Sequence, residues 1–397
     1  QEWVPQAVPT AYREIVESLG IRGDVASVTF AAGMDGGGIE TAVSLDGVRM
    51  KLPLAQWMDS VDEDSAEAID ADVRTGTLRL SGGGLSASIV AVAAGVPMAI
   101  ELDHRGTAMD SPFDLDIDIR SYALPRNPPW LKYVPEGVQW RIGSFNNPTG
   151  VVDAQIRIAR ERQGEQPMVR GDVQFRDAVA AFHAFPYEVQ SLAGRASFDQ
   201  RALRLIDIRG VSAQGASVVA NGTISPPGPG ARVVLDIDVE DVPLDDAMMK
   251  AMGPARRRMI DGLFHRPSYE NLKAMGLLDN LGDGAAEFVL GGRSDVAVRI
   301  RRALGDDAEW ERDITVTLDE AGLVTEAFPL PVIAQGVVIR LDGETARIDG
   351  GRFVPLTGGG EVDLSAEVDL NDSDDVSMVL NVDARQVRVD ERVAYAV

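Results

Sequence analysis

Alternation of apolar and polar residues at every second position recurs along this chain and constrains its fold more than any other feature. The clearest runs are Phe113–Arg120, Val233–Glu240 and Val362–Leu370, and shorter ones occupy Val152–Ile158 and Ile314–Asp319. Side chains alternate between the two faces of a β-strand, so each run would present one apolar face and one polar, largely acidic face. Such divided faces are typical of antiparallel sheets with one face in water.

Turn-forming residues separate these runs at short intervals. Aspartate or asparagine before glycine favours the positive φ angles of tight hairpin turns. Many short strands joined by hairpins predict a mainly β fold, built as a long antiparallel meander. The candidate turns are Asp35–Gly38, Asp46-Gly47, Gly82–Gly84, Asn221-Gly222, Asp342-Gly343 and Gly358–Gly360.

Two segments show helical signals instead. Thr10–Leu19 begins with a potential threonine cap and is followed by Gly20, a typical helix stop. Asp245–Leu281 is the larger helical segment, and Gly253-Pro254 and Pro267 are predicted to break it into short helices. The apolar stripe of the first helix would consist of Tyr12, Ile15, Val16 and Leu19.

The composition excludes several classes of function. The chain has 397 residues and no cysteine, which rules out disulfide frameworks, Cys-based zinc sites, iron–sulfur clusters and cysteine nucleophiles. Its formal net charge of −24 would repel nucleic acid and anionic membrane surfaces. No run approaches the roughly 20 apolar residues of a membrane helix. The chain opens at Gln1 rather than at methionine, which we interpret as a processed chain or a segment of a longer protein.

No arrangement of residues in the sequence predicts catalysis. The three histidines, His104, His183 and His265, lie far apart, with no second histidine or cysteine at metal-ligand spacing. The acidic row Asp114–Asp118 lacks the glycine and glutamate of a calcium loop, and its alternation predicts a strand. We therefore expect no enzyme activity, metal site or cofactor. Carboxylate pairs acting on glycosides are a third-ranked alternative, which the aromatic content of 6% disfavours.

The segment Phe185–Pro227 has a distinctive order of features. A proline-marked strand entry precedes a Gly-x-x-x-Phe-Asp hairpin, an alternating strand, a further glycine, and a strand ending in Asn-Gly-x-Ile. These features are Pro186, Gly194, Phe198, Asp199, Leu203–Ile208, Gly210 and Asn221–Ile224. The order resembles a unit of the AsmA-like superfamily, which includes the TamB-type and YhdP-type envelope proteins of diderm bacteria. Phe328–Glu367 is a weaker copy of this unit.

The resemblance implies both a fold and a location. Members of the superfamily form long β-sheets that conduct phospholipids between the inner and outer membranes along an apolar groove. For this chain it implies a meander curved into an open, taco-like groove, with a closed sandwich as the alternative. It also implies the periplasm or cell envelope of a diderm bacterium, within a membrane-anchored parent protein.

Together these patterns predict four regions. Residues 1–122 would form an N-terminal β-meander with a short helix, and 123–240 would form AsmA-like β units. Residues 241–282 would form a helical insert, and 283–397 would form C-terminal β units.

Two functions follow as expectations. The first is a segment that binds or conducts phospholipid acyl chains along the apolar sheet face. The second is a structural or assembly scaffold whose apolar faces are covered by the protein itself. Neighbouring envelope β-proteins are possible partners, by strand addition to an open sheet edge. The candidate groove-lining residues are Phe113, Leu115, Ile117, Ile119, Val233, Leu235, Ile237, Val239, Ile314, Val316, Leu318, Val362, Leu364, Val368 and Leu370.

Overall fold

The computed structural model describes most of the chain, with gaps. The described residues are 13–23, 25–32, 39–52, 68–133, 143, 145–182, 185–228, 230–251, 254–278, 288–342, 345–348, 351–356, 360–369 and 377–396.

Nineteen strands lie within these residues and form one antiparallel sheet. Strands pair with the next one along the chain, except that β16 and β17 follow each other between β15 and β18 and each pairs with both of these. The strands are β1 (Val25–Ala32), β2 (Ile39–Leu52), β3 (Ile69–Ser81), β4 (Gly84–Ala93), β5 (Val96–His104), β6 (Phe113–Leu124), β7 (Thr149–Arg160), β8 (Met168–Phe182), β9 (Phe185–Phe198), β10 (Leu203–Ser212), β11 (Ser217–Ser225), β12 (Arg232–Pro243), β13 (Gly291–Arg302), β14 (Trp310–Leu323), β15 (Val332–Asp342), β16 (Thr345–Ile348), β17 (Arg352–Pro355), β18 (Glu361–Asp369) and β19 (Ser377–Arg385).

Short helices accompany the sheet. They are α1 (Arg13–Ser18), α2 (Asp246–Ala251), α3 (Pro254–Leu263), α4 (Arg266–Ala274) and α5 (Glu391–Ala396), with a 3₁₀ helix at Pro129–Tyr133. The predicted mainly β meander with an N-terminal helix and a helical insert is confirmed.

Both segments predicted to be helical contain helices, although the helices begin and end at other residues than predicted. In α1, Val16 and Leu19 are buried and Gly20 adopts φ +50°, as a helix stop requires. Tyr12 lies outside the described residues, as does the side chain of Ile15. In the insert, the predicted break at Pro267 is confirmed, since α3 ends at Leu263 and α4 begins at Arg266, with Pro267 in its first turn, where a proline loses no helical hydrogen bond.

Of the predicted turns within the described residues, one is confirmed and two are wrong. Gly82 and Gly83, both with positive φ, form the predicted turn between β3 and β4. The predicted turns at Asp46-Gly47 and Asn221-Gly222 are wrong, because β2 and β11 continue through them. The Asn221 side chain is used instead as a hydrogen-bond acceptor for a backbone N–H of β10. Asp35–Gly38 lies outside the described residues, as do Gly343 and Gly358-Gly359.

The chain divides into two compact units. Unit 1 comprises Gln1–Val179, Ala193–Ile206 and Pro226–Gly228, and unit 2 comprises Ala180–Leu192, Asp207–Ser225 and Pro229–Val397. These units interleave in sequence, because parts of β8, β9 and β10 belong to each.

The described residues of unit 1 form one large core on one face of its strands. Side chains of β4 alternate strictly between buried and exposed, and those of β5 and β6 follow the same pattern over most of their length. Strand register places one buried residue from each strand in a cross-strand row, and α1 adds Val16 and Leu19 to the same core. The row runs Val43, Leu78, Ala87, Leu102, Leu115 and Ile158.

Unit 2 has its largest core at β15 to β18. Ile339, Leu341, Ala346 and Val368 are all buried there. They belong to one cluster with residues from outside the sheet, namely Ile260 and Leu263 of α3 and Ala396 of α5. Helices therefore cover this part of the apolar face.

Several strands contain a bulge, an extra residue with left-handed backbone. Ser121, Asp207 and Asp241 all have φ between +49° and +63°. Each donates its backbone N–H to a side-chain oxygen on the adjacent strand: Ser121 to Asp153, Asp207 to Asn221, and Asp241 to Asp295. The Ser121 N–H, followed by Arg176, holds the pKa of Asp153 below its ordinary value. Such bulges bend and twist their strands locally.

Candidate functional site: an uncovered apolar face

Strands β11 to β14 of unit 2 carry a set of apolar side chains on one face. Residues directly opposite one another in a ladder lie on the same face of the sheet. One cross-strand row joins Ala220, Ile237, Val298 and Ile314, and a second joins Val218, Val239, Val296 and Val316. We call the half-buried members of these and the neighbouring rows the open face: Ala220, Ile224, Val233, Leu235, Ile237, Val239, Val296, Val298, Ile300, Ile314 and Val316.

Burial changes abruptly along each of these rows. Ile237, Val298 and Ile314 are half-buried. Their row continues through Leu341 and Ala346, which are 6% and 1% exposed. Along this row the same face of the sheet is therefore buried at β15 and β16 and only half-buried at β12 and β13.

Both faces of β13 are half-buried, which distinguishes it from a core strand. Residues 295–302 are all half-buried, whichever face they occupy. In β18, by contrast, burial alternates at every residue from 361 to 369, because one face is covered by other parts of the protein. Since no such alternation exists in β13, the described residues do not bury its apolar face as they bury that of β18.

The opposite face of the same strands is polar and internally neutralised. Arg299 lies 2.6 Å from Asp238 and 3.3 Å from Asp236, and Arg301 lies 2.6 Å from Asp236. These are partly exposed pairs, each of which adds little to stability. These pairs make the opposite side of the sheet polar while leaving little net charge on it.

The two ends of the open face differ. At one end Val242 and Met248 are buried with Tyr187 and Ala251 in a small core, against which Val239 and Val296 pack. Met248 and Ala251 belong to α2, so that helix covers this end. At the other end a row runs Ile224, Val233, Arg302 and Trp310, and Trp310 is 52% exposed.

The structure places the predicted lining residues in three environments. Val233, Leu235, Ile237, Val239, Ile314 and Val316 lie on the open face, and Ile314 and Val316 also pack against the largest core of unit 2 at its border. Phe113, Leu115 and Ile117 lie in the core of unit 1, with Ile119 packed beside it. Leu318, Val362, Leu364 and Val368 lie in the largest core of unit 2, and Leu370 is outside the described residues.

Sequence reasoning missed the strand at the centre of the open face. Val296, Val298 and Ile300 of β13 alternate with Asp295, Ala297 and Arg299 in the same period of two. The signal was present but weak, because arginines interrupt it and a helical segment precedes it. Only the register with β12 and β14 shows that β13 completes the face.

The open face consists of alanine, valine, leucine and isoleucine side chains. The described residues contain no group of three histidine, cysteine, aspartate or glutamate side chains that could hold a metal ion. His265 bonds Ser268 through Nδ1, and His104 lies in the core of unit 1 with its Nδ1 beside the Gly106 carbonyl. His183 is outside the described residues. What the face offers a ligand is apolar contact.

No protein-family model, curated protein or solved structure matches this chain. Among the helices described, none is long and apolar enough to cross a membrane.

Proposed function

We propose that this chain binds lipid acyl chains on the open face of β11 to β14, as a segment of a cell-envelope protein that holds or conducts phospholipid. The envelope setting and an AsmA-like membership are part of this proposal, supported by the unit-like order of features in Phe185–Pro227. No enzymatic step is involved.

One observation carries the proposal. Hydrophobic alternation persists through β12 and β13, while the alternation of burial is absent from residues 233–237 of β12 and 295–302 of β13. A protein that covered this face with its own residues would show both, as β18 does. An uncovered apolar surface of several strands is a typical site for an apolar partner.

Acyl chains have the chemistry and the dimensions to fill this role. Val233 and Val239 are six residues apart on β12, which spans about 20 Å along a strand. One leaflet's share of a bilayer core is about 15 Å, so a single acyl chain fits within that length. Each methylene removed from water adds about 0.8 kcal/mol to binding.

The scaffold alternative has support of its own. The cores at β2–β6 and at β15–β18 are covered by the protein itself and need no ligand. In a scaffold, β11–β14 would serve only to connect the strands that precede them with those that follow them. The two functions differ in one respect, which is whether lipid occupies the open face.

The presence of bound lipid in the purified chain tests the proposal. We expect native mass spectrometry of protein from a diderm host to show phospholipid adducts, and solvent extraction to recover the same lipid. Val298→Asp should abolish the adducts, because it puts a charge at the centre of the open face. The protein should still fold, since Val298 belongs to no buried cluster among the described residues.

Thr315→Asp is the matched control. Thr315 lies on the polar face of β14, opposite Ala297 and Arg340, so the same charge is added one strand away on the other side of the sheet. It should leave the adducts unchanged. Protein with no adduct, and with an empty face that takes up no added phospholipid, would contradict the proposal and favour the scaffold.

A further inference from the structure

Two arginines lie on the apolar side of the sheet, at the end of the open face that α2 leaves uncovered. Arg302 is opposite Val233, and Arg312 is opposite Ile300. Since Val233 and Ile300 belong to the open face, both arginines share that side of the sheet. Arg299 and Arg301 lie on the opposite, polar side with their aspartates.

Arg302 is fixed in place by main-chain carbonyls. Its guanidinium donates to the carbonyls of Ala231, Gly305, Asp306 and Ala308 at 3.0–3.3 Å. It also lies 5.5 Å from the centre of the Trp310 ring. These contacts orient the guanidinium, but carbonyl groups leave its positive charge uncompensated.

Arg312 is exposed, and in the described part of the chain its side chain has no hydrogen bond or ion pair. Asp306, Asp307 and Glu309 lie in the nearby turn, yet none is within ion-pair distance of either arginine. Two cations therefore face the end of an apolar surface in a chain whose net charge is −24.

Trp310 and Leu304 add an amphipathic rim at the same end. Trp310 is 52% exposed and Leu304 is 66% exposed. A tryptophan with one polar N–H on a large apolar ring is suited to the boundary between acyl chains and headgroups. The far end of the face is covered by α2, so the end near Trp310 is the more accessible one for a ligand's polar group.

We infer that Arg302 and Arg312 bind the anionic headgroup of the lipid whose chains lie on the open face. The inference rests on the proposed function and narrows its ligand to amphiphiles that carry a phosphate or carboxylate. Arg312 supplies the free donors, in the planar fork that matches an oxyanion. Arg302 adds fixed positive charge beside it. The net negative charge of the chain repels anionic surfaces at a distance, whereas the two arginines attract an anionic group that is in contact with them.

Binding of two lipids with identical acyl chains tests the inference in the full chain after delipidation. Phosphatidylglycerol carries the anionic head, and diacylglycerol carries none. We expect phosphatidylglycerol to bind about tenfold more tightly, the value of one charged hydrogen bond. Arg312→Gln should remove this preference and leave diacylglycerol binding unchanged. Arg312→Lys should keep part of it, because the charge remains without the fork.

Arg232→Gln is the matched control. Arg232 is exposed at the same end of β12, one residue from Val233 and hence on the polar face. It should leave the preference intact. An unchanged preference in Arg312→Gln, or an equal loss in Arg232→Gln, would overturn the inference while the proposed function stands. Displacement of phosphatidylglycerol by excess inorganic phosphate would assign the arginines to a free oxyanion and contradict it as well. If neither lipid binds the unaltered chain, the proposed function falls too.

Discussion

At the scale of single residues, His104 is the most unusual side chain in the core of unit 1. It is 1% exposed, and its ring stacks on Phe113 with centroids 6.3 Å apart. Arg160, equally buried, lies 5.4 Å from the centre of the Phe113 ring. The Nε2 atom of His104 has no hydrogen-bond partner among the described residues. A proton added there would be buried without compensation.

This burial makes the stability of the protein depend on pH. Burial is the main cause that lowers the pKa of His104, opposed by the Gly106 carbonyl and reinforced by Arg160. Below the ordinary histidine pKa of about 6.5, the unfolded chain takes up a proton that the folded chain refuses. We therefore expect the free energy of unfolding to be constant just above that pH and to fall as the pH drops below it, which urea titrations at a series of pH values would measure.

His104→Phe isolates the contribution of this one group. It keeps an aromatic ring beside Phe113 and removes the titratable nitrogens. The variant should lose the part of the pH dependence that lies just below 6.5, while the effects of the carboxylates at lower pH remain. Identical pH profiles for both proteins would show that His104 is accessible to protons in the folded state.

At the scale of single elements, β12 and β18 look alike in sequence and differ in structure. Both alternate apolar and acidic residues over their central positions. In β18 the apolar residues lie in a core with α3 and α5, and in β12 only Val239 and Val242 pack with a described helix, α2. A leucine in each strand allows a direct comparison of the two environments.

Leu364→Ala and Leu235→Ala should differ in their effect on stability. Leu364 is 7% exposed in the largest core of unit 2, so truncation should cost about 2–5 kcal/mol. Leu235 is half-buried on the open face, where the same truncation should cost about 1 kcal/mol. Chemical denaturation of delipidated protein would measure both. Equal losses would mean that β12 is covered after all.

Sequence patterns identified the elements better than their connections. Alternation found β6, β12, β14 and β18, because period two follows from strand geometry alone. Asp46-Gly47 and Asn221-Gly222 were misread as turns, because a local turn preference yields to pairing along a long strand. At Asn221 the side chain serves a bulge on the neighbouring strand, which no local pattern could show.

At the scale of the whole molecule, the apolar side of the sheet is a core where other segments cover it and a candidate site where they do not. Alternation predicts which residues share a face, and it does so for Phe113 as well as for Ile237. Whether that face is covered depends on segments far away in the sequence, such as α3 and α5 for β15 to β18. Arg312 could not be placed beside Ile300 before the register of β13 and β14 was known. For that reason the sequence predicted β12 and β14 of the candidate site, but neither β13 nor where the site ends.

The rate at which a thiol on the open face reacts with a water-soluble maleimide tests the central claim most directly. The chain contains no cysteine, so Val298→Cys and Thr315→Cys each introduce a single reactive group, on the open and polar faces respectively. In delipidated protein we predict that both thiols react readily, because neither face is covered. Added phospholipid should slow the reaction at Val298→Cys at least about tenfold, the effect of more than 1.4 kcal/mol of protection, and leave Thr315→Cys unchanged. A Val298→Cys thiol that is unreactive without lipid, or equally reactive with it, would contradict the account.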